Sequence, residues 1–142
     1  MNAFLSGEKV YLRAISDDDA TNEYLGWIND TETTKGLVTG TFPSTMGDLK
    51  TYLNHVSGNS NTVMFAICII DGDRHVGNIK LDNFDWVAGT AELGVLLGAK
   101  DAWGKGIGTA SCQLILHYAF DQLNLRKVSL TVYDNNPGAI RL

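Results

Sequence analysis

A glycine-rich loop between two apolar segments constrains the fold of this chain more than any other feature. Residues 92–97 are predicted to form a strand, residues 103–108 carry a glycine at every second position, and an apolar helix is predicted from 109 to about 123. Because glycine has no side chain, a ligand can approach the N–H groups of such a loop closely. The first N–H groups of a helix also lack partners, and the helix dipole favours anions there. The loop is therefore predicted to bind a pyrophosphate.

Two other phosphate-binding motifs fit this loop less well. A P-loop needs its lysine after the last glycine and before Ser or Thr, whereas Lys105 lies between two glycines. A dinucleotide fingerprint is closer, with Asp134 in the place of its ribose-binding acid. That unit opens a doubly wound sheet, however, and too few residues follow Asp134 to build the remaining strands. A dinucleotide-binding fold is therefore a distant alternative.

Composition indicates one globular domain and excludes several classes of protein. The chain has 142 residues, 44% of them hydrophobic, and a net charge of −5, which argues against a nucleic-acid-binding surface. It has neither an apolar run of membrane-spanning length nor an N-terminal signal peptide. Cys68 and Cys112 lie among apolar residues and are predicted to be buried, reduced thiols, which favours a cytoplasmic location. His75 and His117 are predicted to be structural, and no residue cluster has metal-ligand spacing.

Hydrophobic periodicity predicts both strands and helices. Strands are predicted at 10–15, 62–70, 75–85, from about 90 to 97 and at 127–133, and helices at 17–29, at 45–56 after a Ser44 cap, and at 109–123. The Asp-Gly turn at 71–74 makes the second and third strands a hairpin. A turn at 87–89 leads into the fourth strand, so strands two to four are predicted to form an antiparallel meander. A helical crossover makes the fifth strand parallel to the fourth. The chain is therefore predicted to be an α+β protein.

Four segments match motifs of one enzyme family in the order in which that family carries them. They are Trp27-Ile28-Asn29-Asp30, Ala91-Glu92-Leu93-Gly94, Trp103-Gly104-Lys105-Gly106-Ile107-Gly108 and Asn136-Pro137-Gly138-Ala139-Ile140-Arg141. The third matches Gln/Arg-x-x-Gly-x-Gly/Ala except that Trp103 replaces the first polar residue. In these motifs the chain resembles the GNAT superfamily of acyl-CoA-dependent N-acetyltransferases. The resemblance is to the branch that acetylates ribosomal protein N-termini, at alanine among others, and amino sugars.

The resemblance implies a single GNAT domain over residues 1–142. Such a domain has a mixed, mostly antiparallel sheet with helices on both faces, and its fourth and fifth strands are parallel and splayed. The chain ends at Leu142, where family members usually continue with a tyrosine and two more strands. We expect an uncovered edge on the fifth strand. Either a second copy in a homodimer covers this edge, or the chain is a shortened form of a longer enzyme.

The resemblance also implies acetyl-CoA as the cofactor. Its pantetheine arm would enter beside the backbone of Val95, Leu96 and Leu97. Its pyrophosphate would bind the loop and helix start formed by Trp103, Gly104, Lys105, Gly106, Ile107, Gly108 and Thr109. Lys105 either adds an ion pair or is a solvated loop lysine, and Asn136 contacts the cofactor arm, caps the last helix, or does both.

The reaction implied is direct attack of an amine on the acetyl thioester. Glu92 is the candidate general base, with a surface glutamate as the alternative reading. Tyr133 is the candidate acid, as the only tyrosine near the family's missing one. Trp27, Asn29 and Asp30 are predicted to bind the acceptor, because sugar-directed members carry a similar motif. The acceptor is predicted to be a small-molecule amine, an amino sugar nucleotide ahead of a peptide N-terminus. The competing hypothesis is a catalytically inactive acyl-CoA-binding or regulatory module.

Overall fold

A six-stranded sheet forms the centre of the protein in a computed structural model that describes residues 2–34 and 43–130. The strands are β1 (Leu5–Ser6), β2 (Val10–Ala14), β3 (Val63–Ile69), β4 (Arg74–Asp85), β5 (Thr90–Leu97) and β6 (Lys127–Leu130). They lie in the sheet in chain order. All neighbours are antiparallel except β5 and β6, which are parallel. The predicted α+β class, the antiparallel meander and the parallel final pair are confirmed.

Two differences from the predicted strands have simple causes. β1 was not predicted, because two residues are too few to show an alternating pattern. Pairing of β5 with β6 runs from Thr90↔Lys127 to Leu93↔Leu130. Beyond that point β5 continues for four residues, and the predicted splay falls on positions after 130, outside the described residues.

The helices are α1 (Asn22–Ile28), α2 (Met46–Ser57) and α3 (Ile107–His117). The single helix predicted over 17–29 is in fact two, because a 3₁₀ turn at Asp17–Asp19 ends before Thr21 caps α1. The Thr21 hydroxyl accepts a hydrogen bond from the Tyr24 N–H at 3.2 Å, which starts a new helix there. The predicted Ser44 cap of α2 is wrong by one residue. Thr45 is the cap, in a capping box with Asp48.

The glycine loop leads directly into α3, which begins two residues earlier than predicted. Gly106 is the N-cap in a left-handed conformation, and the helix continues after His117 as a π-helical turn over Tyr118–Gln122. The side chains of Ile107, Cys112 and Ile115 are buried against the sheet. This helix is the crossover that makes β6 parallel to β5.

The helices cover opposite faces of the sheet. Tyr52 of α2 lies with its hydroxyl 3.9 Å from the Met64 sulfur, whereas Tyr118 after α3 packs edge-on against Phe65 at 5.7 Å. Adjacent strand residues point to opposite faces, so α2 and α3 lie on different sides. Asn78 and Lys80 pair with Ala66 and Met64 and therefore share the face of α2.

Cys68 and Cys112 are buried and free, as predicted. No helix within the described ranges has the length and hydropathy to cross a bilayer. In the same ranges, no three metal-ligating side chains come together.

Candidate active site

A pocket of about 470 Å³ lies between the sheet and the two helices on the α2 face. Its floor consists of neighbouring parts of β4 and β5, and its walls come from α1, from α2 and from Ser44, just before α2. The lining residues are Tyr24, Ile28, Ser44, Asp48, Leu49, Tyr52, Met64, Asn78, Ile79, Lys80, Gly94, Val95 and Leu96. The volume is in the range of sites that take small molecules.

Glycine allows β4 and β5 to form this floor at close approach. A Cβ added at Gly77 would lie 2.3 Å from the Leu96 carbonyl oxygen, which leaves no room for any other residue. A Cβ at Gly94 would lie 3.2 Å from Cε of Lys80, so the lysine stem crosses the strand at this glycine. The two glycines thus bring the strands together and let the Lys80 side chain lie over β5.

The loop after β5 has the geometry of an anion-binding turn. Gly104 and Gly106 have φ angles of 75° and 77°, a conformation that other residues adopt at a cost. A Cβ at either position would meet nothing within 4 Å, so conformation and not crowding requires glycine there. The loop is exposed from Gly104 to Gly106 and ends at the start of α3. Exposed backbone N–H groups at a helix start favour anions, and Lys105 is exposed beside them, so the pyrophosphate site stays a prediction for this loop.

The residues of β5 that are predicted to contact the pantetheine arm differ in the direction of their backbone N–H and carbonyl groups. The Leu96 carbonyl points toward Gly77 of β4. Since backbone groups alternate along a strand, those of Val95 and Leu97 point away from β4, toward the side of β6. The Leu97 carbonyl accepts a hydrogen bond from Trp103 Nε1 at 2.8 Å. Trp103 thus holds the loop to the strand end, and Leu96 contributes its side chain to the pocket and its carbonyl to β4.

The charged groups of the pocket are partly committed to other contacts. Asp48 accepts a hydrogen bond from the Thr45 N–H at 2.9 Å, and this bond keeps the pKa of its carboxyl below the usual value. Lys80 lies 3.1 Å from Asp82. Burial disfavours its charged form, but Tyr52 and Asp82 raise the Lys80 pKa overall, so it stays cationic. Burial also raises the pKa of Tyr24, which keeps its hydroxyl protonated.

The three residues predicted to bind the acceptor have structural contacts in the described part of the chain. Trp27 is 7% exposed and packs so closely on Gly98 that an added Cβ would lie 2.0 Å from its ring. Asn29 bonds both the N–H and the carbonyl of Ser44, at 2.8 and 2.9 Å. Asp30 lies 2.7 Å from Lys100. None of the three lines the pocket, although Asn29 fixes Ser44, which does.

Glu92 lies on β5 two residues before Gly94 and therefore on the pocket face. Its side chain is exposed and accepts a hydrogen bond from the Asn83 amide. It does not line the pocket, and two steps along the strand place it about 7 Å from Gly94. Its role as base stays a prediction. Tyr133 and Asn136 lie outside the described residues, and their predicted roles are likewise untested.

Sequence reasoning missed the polar floor of the pocket. Asn78 is 2% exposed and its Nδ2 has no hydrogen-bond partner among the described residues. His75 Nε2 lies 2.9 Å from both the Gly77 carbonyl and Asn78 Oδ1. The polar Asn78 between the apolar Val76 and Ile79 was the available signal, but the alternating pattern of that strand explained it equally well.

The sequence matches the acetyltransferase (GNAT) domain family over residues 9–142, so the chain belongs to this family. Members of the family use acetyl-CoA as the acyl donor, as the residue motifs implied. The fold, the strand-to-helix glycine loop and the adjacent pocket agree with this assignment.

Two relatives in sequence are named as N-acetyltransferases, and a solved structure has a similar fold. The chain is 29% identical to the uncharacterized N-acetyltransferase p20 of Bacillus licheniformis, over 95% of this chain and 76% of p20. It is 44% identical to the putative ribosomal N-acetyltransferase YdaF of Bacillus subtilis, but over only 38% of this chain and 29% of YdaF. A GNAT-family acetyltransferase from Bacillus anthracis has a similar fold, with a TM-score of 0.82 at 21% identity over 96% of this chain and 78% of that protein.

Proposed function

We propose that the protein transfers the acetyl group of acetyl-CoA to the primary amine of a small molecule held in the pocket on the α2 face. The observation that carries this proposal is the shared position at β5. The glycine loop follows the end of this strand, and Gly94, Val95 and Leu96 of the same strand line the pocket. A thioester lying along β5 would therefore meet an amine coming from the pocket.

Val95 is proposed to stabilise the reaction between the two substrates through its backbone N–H. Acetyl-CoA supplies a thioester whose carbonyl carbon the amine attacks, and negative charge develops on the carbonyl oxygen. The Val95 N–H points away from β4, toward the side on which that thioester would lie. An N–H donor aimed at the developing charge stabilises the transition state.

Glu92 is the proposed proton acceptor. An alkyl ammonium has a pKa near 10.4, so only about one molecule in ~2,500 is neutral at pH 7. A base that takes the proton removes part of this barrier. Glu92 lies on the pocket face of β5 and at a position where family members carry such a carboxylate. Because Glu92 is about 7 Å from Gly94, we propose that a water carries the proton between the amine and the carboxylate.

The acceptor proposed first is an amino sugar, carried by a nucleotide, and the second is a protein N-terminus. A pocket of about 470 Å³ holds a single sugar or one terminal residue, with the remainder of either acceptor outside. The relative YdaF is named as a putative ribosomal N-acetyltransferase, which keeps the second class in the proposal.

A catalytically inactive acyl-CoA-binding module is the second candidate function. One observation favours it: among the described residues, the only carboxylate that lines the pocket is Asp48, and this group already caps α2. A module of this kind would keep the cofactor loop and the fold without a base at the acceptor.

Free thiol released from acetyl-CoA distinguishes the two. The protein is incubated with acetyl-CoA and a panel of amines that includes amino sugars, their nucleotide conjugates, alanyl peptides and polyamines. Turnover with one acceptor class supports the enzyme. Binding of acetyl-CoA by calorimetry without thiol release from any amine supports the module, and absence of binding would overturn both.

A further inference from the structure

The pocket floor contains a buried hydrogen-bond donor that the described fold leaves unused. Asn78 lines the pocket and is 2% exposed, and its Nδ2 has no partner within residues 2–34 and 43–130. A buried donor without an acceptor is unfavourable, because it has lost its hydrogen bonds to water. Such a group in a ligand pocket gains a partner when a ligand with a suitable atom binds.

His75 fixes which end of the Asn78 amide is left without a partner. His75 Nε2 lies 2.9 Å from the Gly77 carbonyl oxygen, which can only accept, so Nε2 must carry the hydrogen. The same N–H lies 2.9 Å from the Asn78 side chain, which must therefore present its oxygen to the histidine. The NH₂ group is left at the other end of the amide, and it can only donate.

The imidazole is itself held in place by two aromatic rings. The Trp27 and Tyr24 rings meet the His75 ring edge-on, at centroid distances of 5.1 and 6.0 Å. Trp27 is in turn packed against Gly98 just after β5. The donor at the pocket floor is thus oriented by a chain of contacts that reaches α1.

We propose that Asn78 is a specificity-determining residue whose Nδ2 donates a hydrogen bond to an oxygen of the amine acceptor. This inference rests on the proposed function, and it narrows the acceptor to amines with a hydroxyl or carbonyl oxygen near the nitrogen. Amines without oxygen, such as alkylamines and polyamines, leave the donor unpaired and are disfavoured. His75 is the positioning residue, because it acts only through the orientation of the Asn78 amide.

The first test compares acceptors that differ in a single oxygen, trans-2-aminocyclohexanol against cyclohexylamine, by kcat/KM at saturating acetyl-CoA. We expect Asn78→Leu, which is similar in size, to reduce the preference for the amino alcohol about 10- to 100-fold. The preference is the ratio of kcat/KM for the amino alcohol to kcat/KM for cyclohexylamine. Comparing this ratio between wild type and variant cancels the difference in pKa between the two amines. His75→Phe keeps the aromatic contacts, lacks the Nε2–H and is expected to lose part of the same preference.

Matched controls separate a lost hydrogen bond from a damaged fold. Asn54→Leu makes the same change on the exposed side of α2, away from the pocket, and is expected to leave the preference unchanged. Thermal melting and acetyl-CoA affinity of Asn78→Leu should stay close to wild type. Equal losses for both amines, or an unchanged ratio, would overturn the proposal.

A second measurement does not depend on turnover. With coenzyme A bound, the side-chain NH₂ resonances of Asn78 are identified by their absence in Asn78→Leu. We expect them to shift when trans-2-aminocyclohexanol is added and to stay in place with cyclohexylamine. If thiol release fails but these resonances shift, the proposed enzyme activity is wrong and the recognition site stands. If they shift with neither amine, the site is wrong.

Discussion

Glu92 combines an exposed carboxylate with a fixed orientation, because the Asn83 amide donates to it across the β4–β5 turn. Glu92→Gln keeps the size of the side chain and removes its ability to accept a proton. We expect kcat/KM for an amine acceptor to fall about 100-fold at pH 7, with acetyl-CoA affinity unchanged. Glu8→Gln, at an exposed position near β1, is the matched control. Normal turnover in Glu92→Gln would exclude Glu92 as the base.

Asp19 is the buried carboxylate on which stability in acid depends. It lies 2.7 and 2.9 Å from the two Arg13 nitrogens and also accepts from the Ser16 N–H at 3.0 Å. Burial alone would raise the pKa of Asp19, but the bonds from Arg13 and Ser16 outweigh it and lower the pKa. The folded pKa is thus below the unfolded one. The stabilisation is complete above pH ~3.9 and is lost as the pH falls through the folded pKa.

Asp19→Asn tests this assignment by denaturant unfolding at several pH values. We expect a loss of about 2 kcal/mol at pH 7. The loss should shrink as the pH falls below ~3.9, where the unfolded wild-type chain takes up the proton, and should be smallest below the lowered folded pKa. Asp17→Asn, in the same turn but exposed, should change stability by less than about 0.5 kcal/mol. A difference that stays constant from pH 7 to pH 3 would show that the charge of Asp19 does not stabilise the fold.

The sequence motifs identified the family but did not predict which contacts individual side chains make. The motif at 27–30 is predicted to bind the acceptor, which stays a prediction, but it did not reveal that Trp27 packs on Gly98 or that Asp30 pairs with Lys100. Asn78 was not singled out at all. Which side chain faces a pocket depends on how helices from elsewhere in the chain dock on the sheet, and short motifs do not encode that docking.

The loop between β5 and α3 is the element whose conformation most directly tests the cofactor site. Gly106→Ala must place a Cβ at a φ of 77°, although no atom lies within 4 Å of it. We expect a loss of about 1–2 kcal/mol in stability or a loop that rearranges, and in both cases a weaker affinity for acetyl-CoA. Calorimetric titration with acetyl-CoA and a denaturant melt measure the two effects.

Gly26→Ala is the matched control for that prediction. Gly26 lies inside α1, where a Cβ would also meet nothing within 4 Å, but its backbone is helical. Alanine there should raise stability by roughly 0.5–1 kcal/mol and leave acetyl-CoA affinity unchanged. Two identical substitutions in open space are thus expected to change the stability in opposite directions. An equal response at both positions would contradict the role of the left-handed turn.

Element boundaries followed from the sequence to within one or two residues where a cap or a turn residue marked them. The Asp-Gly hairpin and the start of β5 near residue 90 are confirmed. The break inside the first predicted helix was not foreseen. Three consecutive aspartates look like one helix start, whereas Asp19 turns to Arg13 and Thr21 starts a second helix. A tertiary ion pair decided this, and periodicity along one segment cannot reveal it.

The whole molecule should respond to acetyl-CoA as a single folding unit. One sheet connects all strands of the described residues, so a ligand bound at β5 stabilises this sheet by mass action. At a concentration 100 times the Kd, the expected gain is about 2.7 kcal/mol, which is roughly 10 °C in Tm. A thermal melt across acetyl-CoA concentrations measures this gain. Adenosine, which lacks the pyrophosphate, is the control ligand. A Tm that does not rise would argue against the cofactor site.

The overall topology could be predicted because its determinants are local and strong. An apolar strand, a glycine turn and an apolar helix fix the parallel β5–β6 crossover, and short turns fix the meander before it. The pocket could not be predicted, because its floor and walls come from segments far apart in the chain, β4, β5, α1 and α2. Their meeting depends on close approaches at Gly77 and Gly98 that become visible only in three dimensions.

The glycine loop follows the end of β5, whereas the pocket lies beside residues 94–96 of the same strand. The two substrates are therefore expected to bind at separate places. With separate entrances, neither substrate must dissociate before the other binds. The enzyme can then bind acetyl-CoA and the amine in either order. A redesign of the entrance on the α2 face could then exchange one amine for another while the coenzyme is recognised as before.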